Sequence, residues 1–403
     1  MLKRIRTTDL EPGMYVVDTG LSWMEHPNLY TREGRLKVED IEKIASEGYT
    51  EAFIETDRGS YIFKEGEGTE TKSLAQAAAG ESGEFSAAEL STYQEEVDRA
   101  RRIFDDSIRF AKEFLKRAHL EERVDYKAAA GLVEDMIGSI FRNADALISL
   151  AKLRQHDEYT FTHCVNVAVL SLGFARFHSM PDEHLRPLGI AALFHDVGKS
   201  LVPSEILNKP GRLSENEFKI IKRHPADSYR LLKMEQEVTG DILRGIAEHH
   251  EKLNGQGYPR GLAGDEIHPF ARIIGICDIY DALTSDRVYK QGIPATKAMK
   301  ILYELRNQDV KESEVNMFIK FLGVYPVGSL VRLSDGSHGV VSESNPRVAH
   351  LPKVMVVFDE YFEELDKYYT LDMEHEAARG GVSIETYIDP RECGVNVGAY
   401  LIG

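Results

Sequence analysis

The sequence predicts a mainly α protein: an all-helical middle, a small mixed α/β N-terminal domain and a short β-rich C-terminal extension. Three observations lead there. Residues 87–120 and 126–153 carry apolar residues at helical spacing among many charges, as in Val97, Ile108 and Leu115, then Leu132, Met136 and Ile140. Residues 156 to about 322 continue in a nearly unbroken helical pattern. Near the N-terminus and beyond about 326, short apolar runs rich in β-branched residues take over.

Taken in order, residues 14–17 and 51–55 read as strands, and 38–47 as a helix closed by Gly48. These make an N-terminal domain of residues 1–64. Residues 65–86 are rich in Gly, Glu, Ser, Thr and Ala, which suits a flexible linker. A helical connector follows at 87–155; its first helix reads equally as a signalling or dimerisation helix and as a packed helix of the next domain. Within the domain at 156–325, Ser214 and Glu217 form a capping box that starts a helix. Pro225 after His224 bends or restarts the chain. Residues 254–259 are a Gly-rich loop. In the extension at 326–403, residues 329–333 and 339–341 read as a hairpin, with a strand at 354–358 after it.

The chain has 403 residues, long for one core. No apolar run is long enough to span a membrane. The basic N-terminus lacks the apolar stretch of a signal peptide. Three cysteines fit a reducing compartment, so a cytoplasmic location is expected. The net charge of -17 argues against a partner that is a nucleic-acid polymer. An anionic ligand would need a local cluster of cations. Nine of the 14 histidines lie between His156 and His268, the first pointer to a site.

His195-Asp196 ends a mostly apolar helical stretch and is followed by Val197-Gly198-Lys199. Alone, the dipeptide is weak evidence. Beside His163, His224, His249, His250 and Asp278 it becomes a set of imidazoles and carboxylates suited to Fe, Mn, Zn, Ni or Co. That set exceeds the need of one tetrahedral ion. Two ions bridged by a carboxylate are its natural use, in a centre that displaces a phosphoryl oxygen in line. Lys199 lies one turn after Asp196, and Asp281 one turn after Asp278. Arg287 and Lys290 add cations able to clamp phosphate oxygens.

The combination of His195-Asp196, His249-His250-Glu251 and Gly257-Tyr258-Pro259 resembles the HD-GYP family, a branch of the HD-domain phosphohydrolases. The similarity runs from about 152 to 345. Residues 1–64 resemble a small domain often found before such modules. The resemblance implies a helical, metal-dependent cyclic-di-GMP phosphodiesterase of bacterial signalling, or one acting on cyclic GMP-AMP, usually with iron or manganese. It implies that His163, His195, Asp196 and Asp278 hold a first ion. Asp196 would bridge to a second ion held by His224, His249 and His250. Asp157 and Lys199 match positions near the scissile phosphate. Asp281, Arg287 and Lys290 match substrate contacts, with Gly257, Tyr258 and Pro259 beside the pocket. Members with three metals carry Glu where this chain has Tyr159, so two divalent ions are expected.

Two rival readings stand beside this one. The chain is a cyclic-dinucleotide receptor working through signalling partners or as a homodimer, or an HD phosphohydrolase of another nucleotide. Tyr258 either stacks on a base or packs its loop. Glu251 either supports a ligand histidine or ends a helix in solvent. Cys164 and Cys277, each beside a proposed ligand, read as buried core.

Overall fold

The computed structural model describes residues 2–17, 29–30, 33–46, 49–56, 91–120, 125–153, 159–209, 211, 213–286, 291–345 and 347–401. The linker expected at 65–86 lies outside them, as do Asp157, Arg287 and Lys290.

The first strands are β1 (Leu2–Arg6), β2 (Tyr15–Val16), β3 (Leu29–Tyr30), β4 (Gly34–Arg35) and β5 (Glu51–Glu55). β1 and β2 pair antiparallel with β5, β4 continues from β2, and β3 runs parallel beside β5. The helix α1 (Val38–Ser46) starts where Asp40 accepts from the Lys37 amide at 2.8 Å. Ile44 of α1 closes a small core with Leu10, Met14, Val16 and Ile54.

Two long helices follow, α2 (Tyr93–His119) and α3 (Tyr126–Leu153). Thr92 and Glu95 form a reciprocal capping box at the start of α2. The wholly buried Glu96 accepts two bonds from Arg142 of α3, at 2.7 and 2.8 Å, which fixes the register of the pair. Asn143 breaks α3 with extended backbone, and its side chain donates to Ser91 O at 3.0 Å.

The central helix is α4 (Tyr159–Phe177), buried along most of its length because its residues are apolar on nearly every side. Around it pack α2, α3, α5 (Asp182–Phe194) and α10 (Pro269–Thr284) in one continuous core, with α9 (Gly240–Glu248) against α5 and α10. Between these lie a 3-10 turn (Val197–Leu201), α6 (Ser204–Leu207), α7 (Glu215–Ile221) and α8 (His224–Leu232). α7 begins at the Ser214–Glu217 capping box, and α8 begins at His224 with Pro225 in its first turn. α11 (Ala295–Glu304) and α12 (Glu312–Leu322) complete the helical body.

The chain ends in β6 (Leu330–Leu333), β7 (His338–Glu343), β8 (Lys353–Phe358), β9 (Glu364–Asp372), α13 (Met373–Ala378), β10 (Ile384–Ile388) and α14 (Val397–Leu401). The sheet is antiparallel in the order β10-β6-β7-β8-β9. Asp145 of α3 ties it to the helices by accepting from the Ser344 amide at 2.8 Å and hydroxyl at 2.9 Å. Among the described residues, no helix is long and apolar enough to cross a membrane.

Candidate metal centre

Five elements aim donors at one buried point. His163 comes from the first turns of α4, His195 and Asp196 from the end of α5, His224 from the start of α8, and His249 and His250 from the end of α9. Asp278 comes from the middle of α10. Their ligand atoms fall into two groups, each within 4.8 Å: His163, His195 and Asp278, then Asp196, His224, His249 and His250.

Asp196 stands between the groups. Its Oδ2 lies 3.6 Å from His163 Nε2 and 3.4 Å from His195 Nε2. Its Oδ1 lies 3.1 Å from His224 Nε2 and 3.8 Å from His249 Nε2. Asp278 closes the first group at 2.9 Å from His163 Nε2 and 4.0 Å from His195 Nε2. Its other oxygen lies 3.9 Å from His250 Nδ1.

The outer nitrogens of the rings explain why the inner ones are available. His195 Nδ1 donates to Ala192 O at 2.7 Å, His224 Nδ1 to Ile221 O at 2.8 Å, and His249 Nδ1 to Ile246 O at 2.6 Å. Each bond reaches back three residues and holds the proton on Nδ1, leaving a lone pair on Nε2. His224 Nε2 and His249 Nε2 therefore face each other at 3.4 Å with Asp196 Oδ1 beside them. His250 Nε2 joins them at 3.1 Å from His224 Nε2, so three imidazole nitrogens and a carboxylate oxygen crowd one buried point. His195 Nε2 and Asp196 Oδ1 are buried and make no hydrogen bond among the described residues. Buried acceptors facing one another are costly unless a cation lies between them, so this donor set fits divalent metal ions.

The protonation behaviour follows the same geometry. Burial, then the neighbouring rings of His195 and His224, push His249 down to about 3. Burial and the adjacent His249 hold His250 well below the usual imidazole range. Burial also opposes charge on His163, but hydrogen bonds to Asp278 and Asp281 push it up to about 9. Asp196 is held well below the carboxylate range although burial opposes this, by the charges of Lys199 and His195.

Lys199 Nζ lies 2.5 Å from Asp196 Oδ2, so the 3-10 turn brings an ammonium to the edge of the site. Gly198 makes that turn possible: a Cβ there would lie 2.2 Å from His224 O and 2.6 Å from Ser228 N. Its amide donates to Ser228 Oγ at 2.8 Å, and that hydroxyl donates to His195 O at 3.0 Å, stitching α5 to α8.

Asp281 was expected to contact substrate; the structure places it elsewhere. It is buried behind His163, with Oδ2 2.7 Å from His163 Nδ1 and Oδ1 accepting from Asn166 Nδ2 at 2.8 Å and Ser285 Oγ at 3.0 Å. Its one-turn offset from Asp278 puts the two carboxylates on opposite nitrogens of one imidazole. Glu251 is buried, and it neither supports a ligand histidine nor ends a helix in solvent. It accepts from the amides of Arg260 at 2.7 Å, Gly261 at 3.1 Å and Leu262 at 3.0 Å, holding the loop after Pro259. Nothing in sequence spacing identifies those amides as partners. Gly257 passes so close to the chain that a Cβ would lie 2.3 Å from Lys252 N. Tyr258 packs its ring 4.8 Å from His250 and 5.2 Å from Lys222 Nζ, with the exposed Pro259 after it. Cys164 and Cys277 are buried core, as expected.

The sequence model of the HD domain matches residues 142–311, and that of a domain of unknown function (DUF3391) matches residues 2–129. The chain is 36% identical over 361 residues to a cyclic di-GMP phosphodiesterase of Pseudomonas aeruginosa, covering 89% of this chain and 86% of that one. It is 42% identical over 147 residues to a 3'3'-cGAMP-specific phosphodiesterase of Vibrio cholerae, covering 36% of this chain and 32% of that one. It is 40% identical over 130 residues to a cyclic di-GMP phosphodiesterase response regulator of Xanthomonas campestris, covering 32% of this chain and 34% of that one. With the paired donor sets, the His195-Asp196 and Gly257-Tyr258-Pro259 motifs and a relative matched along most of its length, the chain belongs to the HD-GYP branch of the HD-domain family and carries a DUF3391 region ahead of its HD domain.

Proposed function

We propose that this protein hydrolyses a cyclic dinucleotide in a metal-dependent reaction, with cyclic di-GMP as its main substrate and the linear dinucleotide pGpG as product. One observation carries the reading: two groups of donors share Asp196, with Oδ2 facing one and Oδ1 the other. A carboxylate so placed would be able to serve two divalent ions, one on each side.

His163, His195, Asp196 and Asp278 would hold one divalent ion, and Asp196, His224, His249 and His250 the second. The mixed imidazole and carboxylate set suits iron or manganese, with zinc, nickel and cobalt able to occupy it. Bound there, such ions supply Lewis acidity and a water activated at neutral pH.

The chain's own residues do the rest. Lys199 offsets charge on the phosphate under attack. Water adds at phosphorus, the bond to the 3′-oxygen breaks, and that oxygen leaves with a proton. Asp157 and Lys199 are assigned to proton handling at the leaving oxygen. Arg287 and Lys290 are assigned to the phosphate oxygens. The match to the Pseudomonas aeruginosa phosphodiesterase along most of both chains favours cyclic di-GMP over cyclic GMP-AMP.

The test is anaerobic purification, metal quantification, and product chromatography on both cyclic dinucleotides. Two divalent ions per chain and pGpG from cyclic di-GMP are expected, with both lost in Asp196→Ala. Hydrolysis that persists in chelated, metal-free protein rules the mechanism out. Tight nucleotide binding without turnover by the metal-loaded wild type establishes a receptor instead.

A further inference from the structure

A cavity of about 630 Å³ opens beside Lys199, between the end of α2, the start of α4 and the 3-10 turn. That volume lies within the range of roughly 300–1,000 Å³ typical of small-molecule sites. We propose that it binds the second nucleotide of the substrate, the one whose phosphate is not being cleaved. The proposal rests on the phosphodiesterase reading above and adds to it a binding surface.

Position comes first. Lys199 belongs to both places, lining the cavity while its Nζ lies 2.5 Å from Asp196 Oδ2. A ligand whose first phosphate meets the metal centre at Lys199 has this space as a neighbour. The walls suit a base and a sugar phosphate. Leu115, Phe161 and Leu207 supply apolar surface, and Phe161 offers an aromatic ring to a flat base.

Charge is the second argument. Lys116 and Arg117 of α2 stand at the cavity with Lys199. Glu113 is the one acid among its described lining residues, and it is paired with Arg117 at 2.8 Å. A local surplus of cations is the reverse of a chain with net charge -17. Such a surplus on a concave surface attracts an anion and raises its local concentration. Ser200 lines the same cavity, and its buried Oγ makes no hydrogen bond among the described residues.

The wall is also anchored to the site. His119, the last residue of α2, donates from Nδ1 to Ser200 O at 2.7 Å, so the helix end is tied to the turn that carries Lys199. α2 lies within the segment matched by the domain of unknown function. The proposal therefore gives part of that segment a role in substrate binding.

The experiment compares wild type with Lys116→Glu/Arg117→Glu in full-length, manganese-loaded protein. Both side chains are exposed, so the fold should tolerate the change. Two readouts are taken: calorimetric binding of a phosphorothioate analogue of cyclic di-GMP, and the ratio of kcat/KM on cyclic di-GMP to that on bis(p-nitrophenyl) phosphate. At least a tenfold loss in each is expected, with Lys116→Arg close to wild type. Equal analogue binding and an equal ratio in the charge-reversed variant overturn the cavity assignment while leaving hydrolysis standing. A wild-type protein that cleaves neither cyclic dinucleotide overturns the phosphodiesterase reading instead.

Discussion

Asp281 Oδ2 lies 2.7 Å from His163 Nδ1, on the far side of the imidazole from Asp278. A carboxylate behind a ring fixes its orientation and raises the basicity of the nitrogen facing the centre. Asp281→Asn weakens this support. If the amide turns its oxygen to His163, its nitrogen must face the Asn166 side-chain amide, donor against donor. We expect about a 10–100-fold loss in metal affinity with the fold intact, the range for such outer partners. Titration of apo protein with Mn²⁺, alongside circular dichroism, checks it. Unchanged affinity would mean that Asp281 only packs.

Glu251 is expected to matter for the loop rather than for chemistry. Glu251→Ala strips three amides of their acceptor, and each lost partner costs on the order of 1–3 kcal/mol unless water replaces it. Glu251→Gln keeps an acceptor oxygen and should cost less. Thermal melts rank the two variants. A larger loss for Gln than for Ala would contradict the role assigned here.

These two residues mark where the sequence stopped being informative. The ligand set could be read because histidines are few and chemically distinctive, and nine of the 14 lie between His156 and His268. Lys199 followed from helical offset alone. Asp281 also followed as a neighbour of Asp278, but offset says which face a residue shares, not whether an imidazole lies between it and the pocket. Glu251 depends on amides nine to eleven residues away, and backbone partners leave no trace in residue type. The long helices were legible from periodicity, as were the strands β2, β5, β6, β7 and β8; the strands β1, β3, β4, β9 and β10 were not read. Asn143 was not seen as a helix break, because its bond to Ser91 is long-range.

Gly198→Ala tests the junction between α5 and α8. The added methyl meets the backbone at His224 and Ser228, which cannot move as a side-chain tip can. Overpacking of this kind costs about 1–3 kcal/mol. The displacement falls on His224, so metal binding should fall along with stability. Retained metal stoichiometry with only a lowered Tm would show that the junction relaxes away from the site.

Lys152 gives a pH prediction outside the centre. Burial pulls it down to about 7, against the favourable charge of Asp145. Between about 7 and its ordinary value of 10.5, the unfolded chain binds the proton and the folded chain does not. Stability therefore rises with pH across that window, and at pH 7 most of the burial penalty is present. Lys152→Met removes the penalty, and Asp145 keeps its bonds to Ser344. We expect a Tm several degrees above wild type at pH 7, with the difference shrinking toward pH 10. Parallel Tm curves for the two proteins over that range would sink this account.

Arg4 joins the N-terminal sheet to the active-site side of the helical body. Its guanidinium lies 2.5 Å from Glu51 of β5 and 3.4 Å from Asp309, and Asp309 lies 2.9 Å from Lys252 Nζ. Lys252 directly follows Glu251, and the Leu253 amide donates to Asp309 O at 3.0 Å. Arg4 and Asp309 are both largely buried, so breaking their contact leaves charge without its partner. Removing one member of a buried pair costs about 3–5 kcal/mol. Here Asp309 keeps Lys252 when Arg4 is removed, and Arg4 keeps Glu51 when Asp309 is removed, so each single change should cost less than that. Arg4→Ala should loosen the sheet, and Asp309→Ala should loosen the loop that carries Tyr258 as well. Limited proteolysis reads the first effect, and KM on cyclic di-GMP reads the second. If Asp309→Ala leaves KM unchanged, the chain of charges joins two domains and ends short of the site.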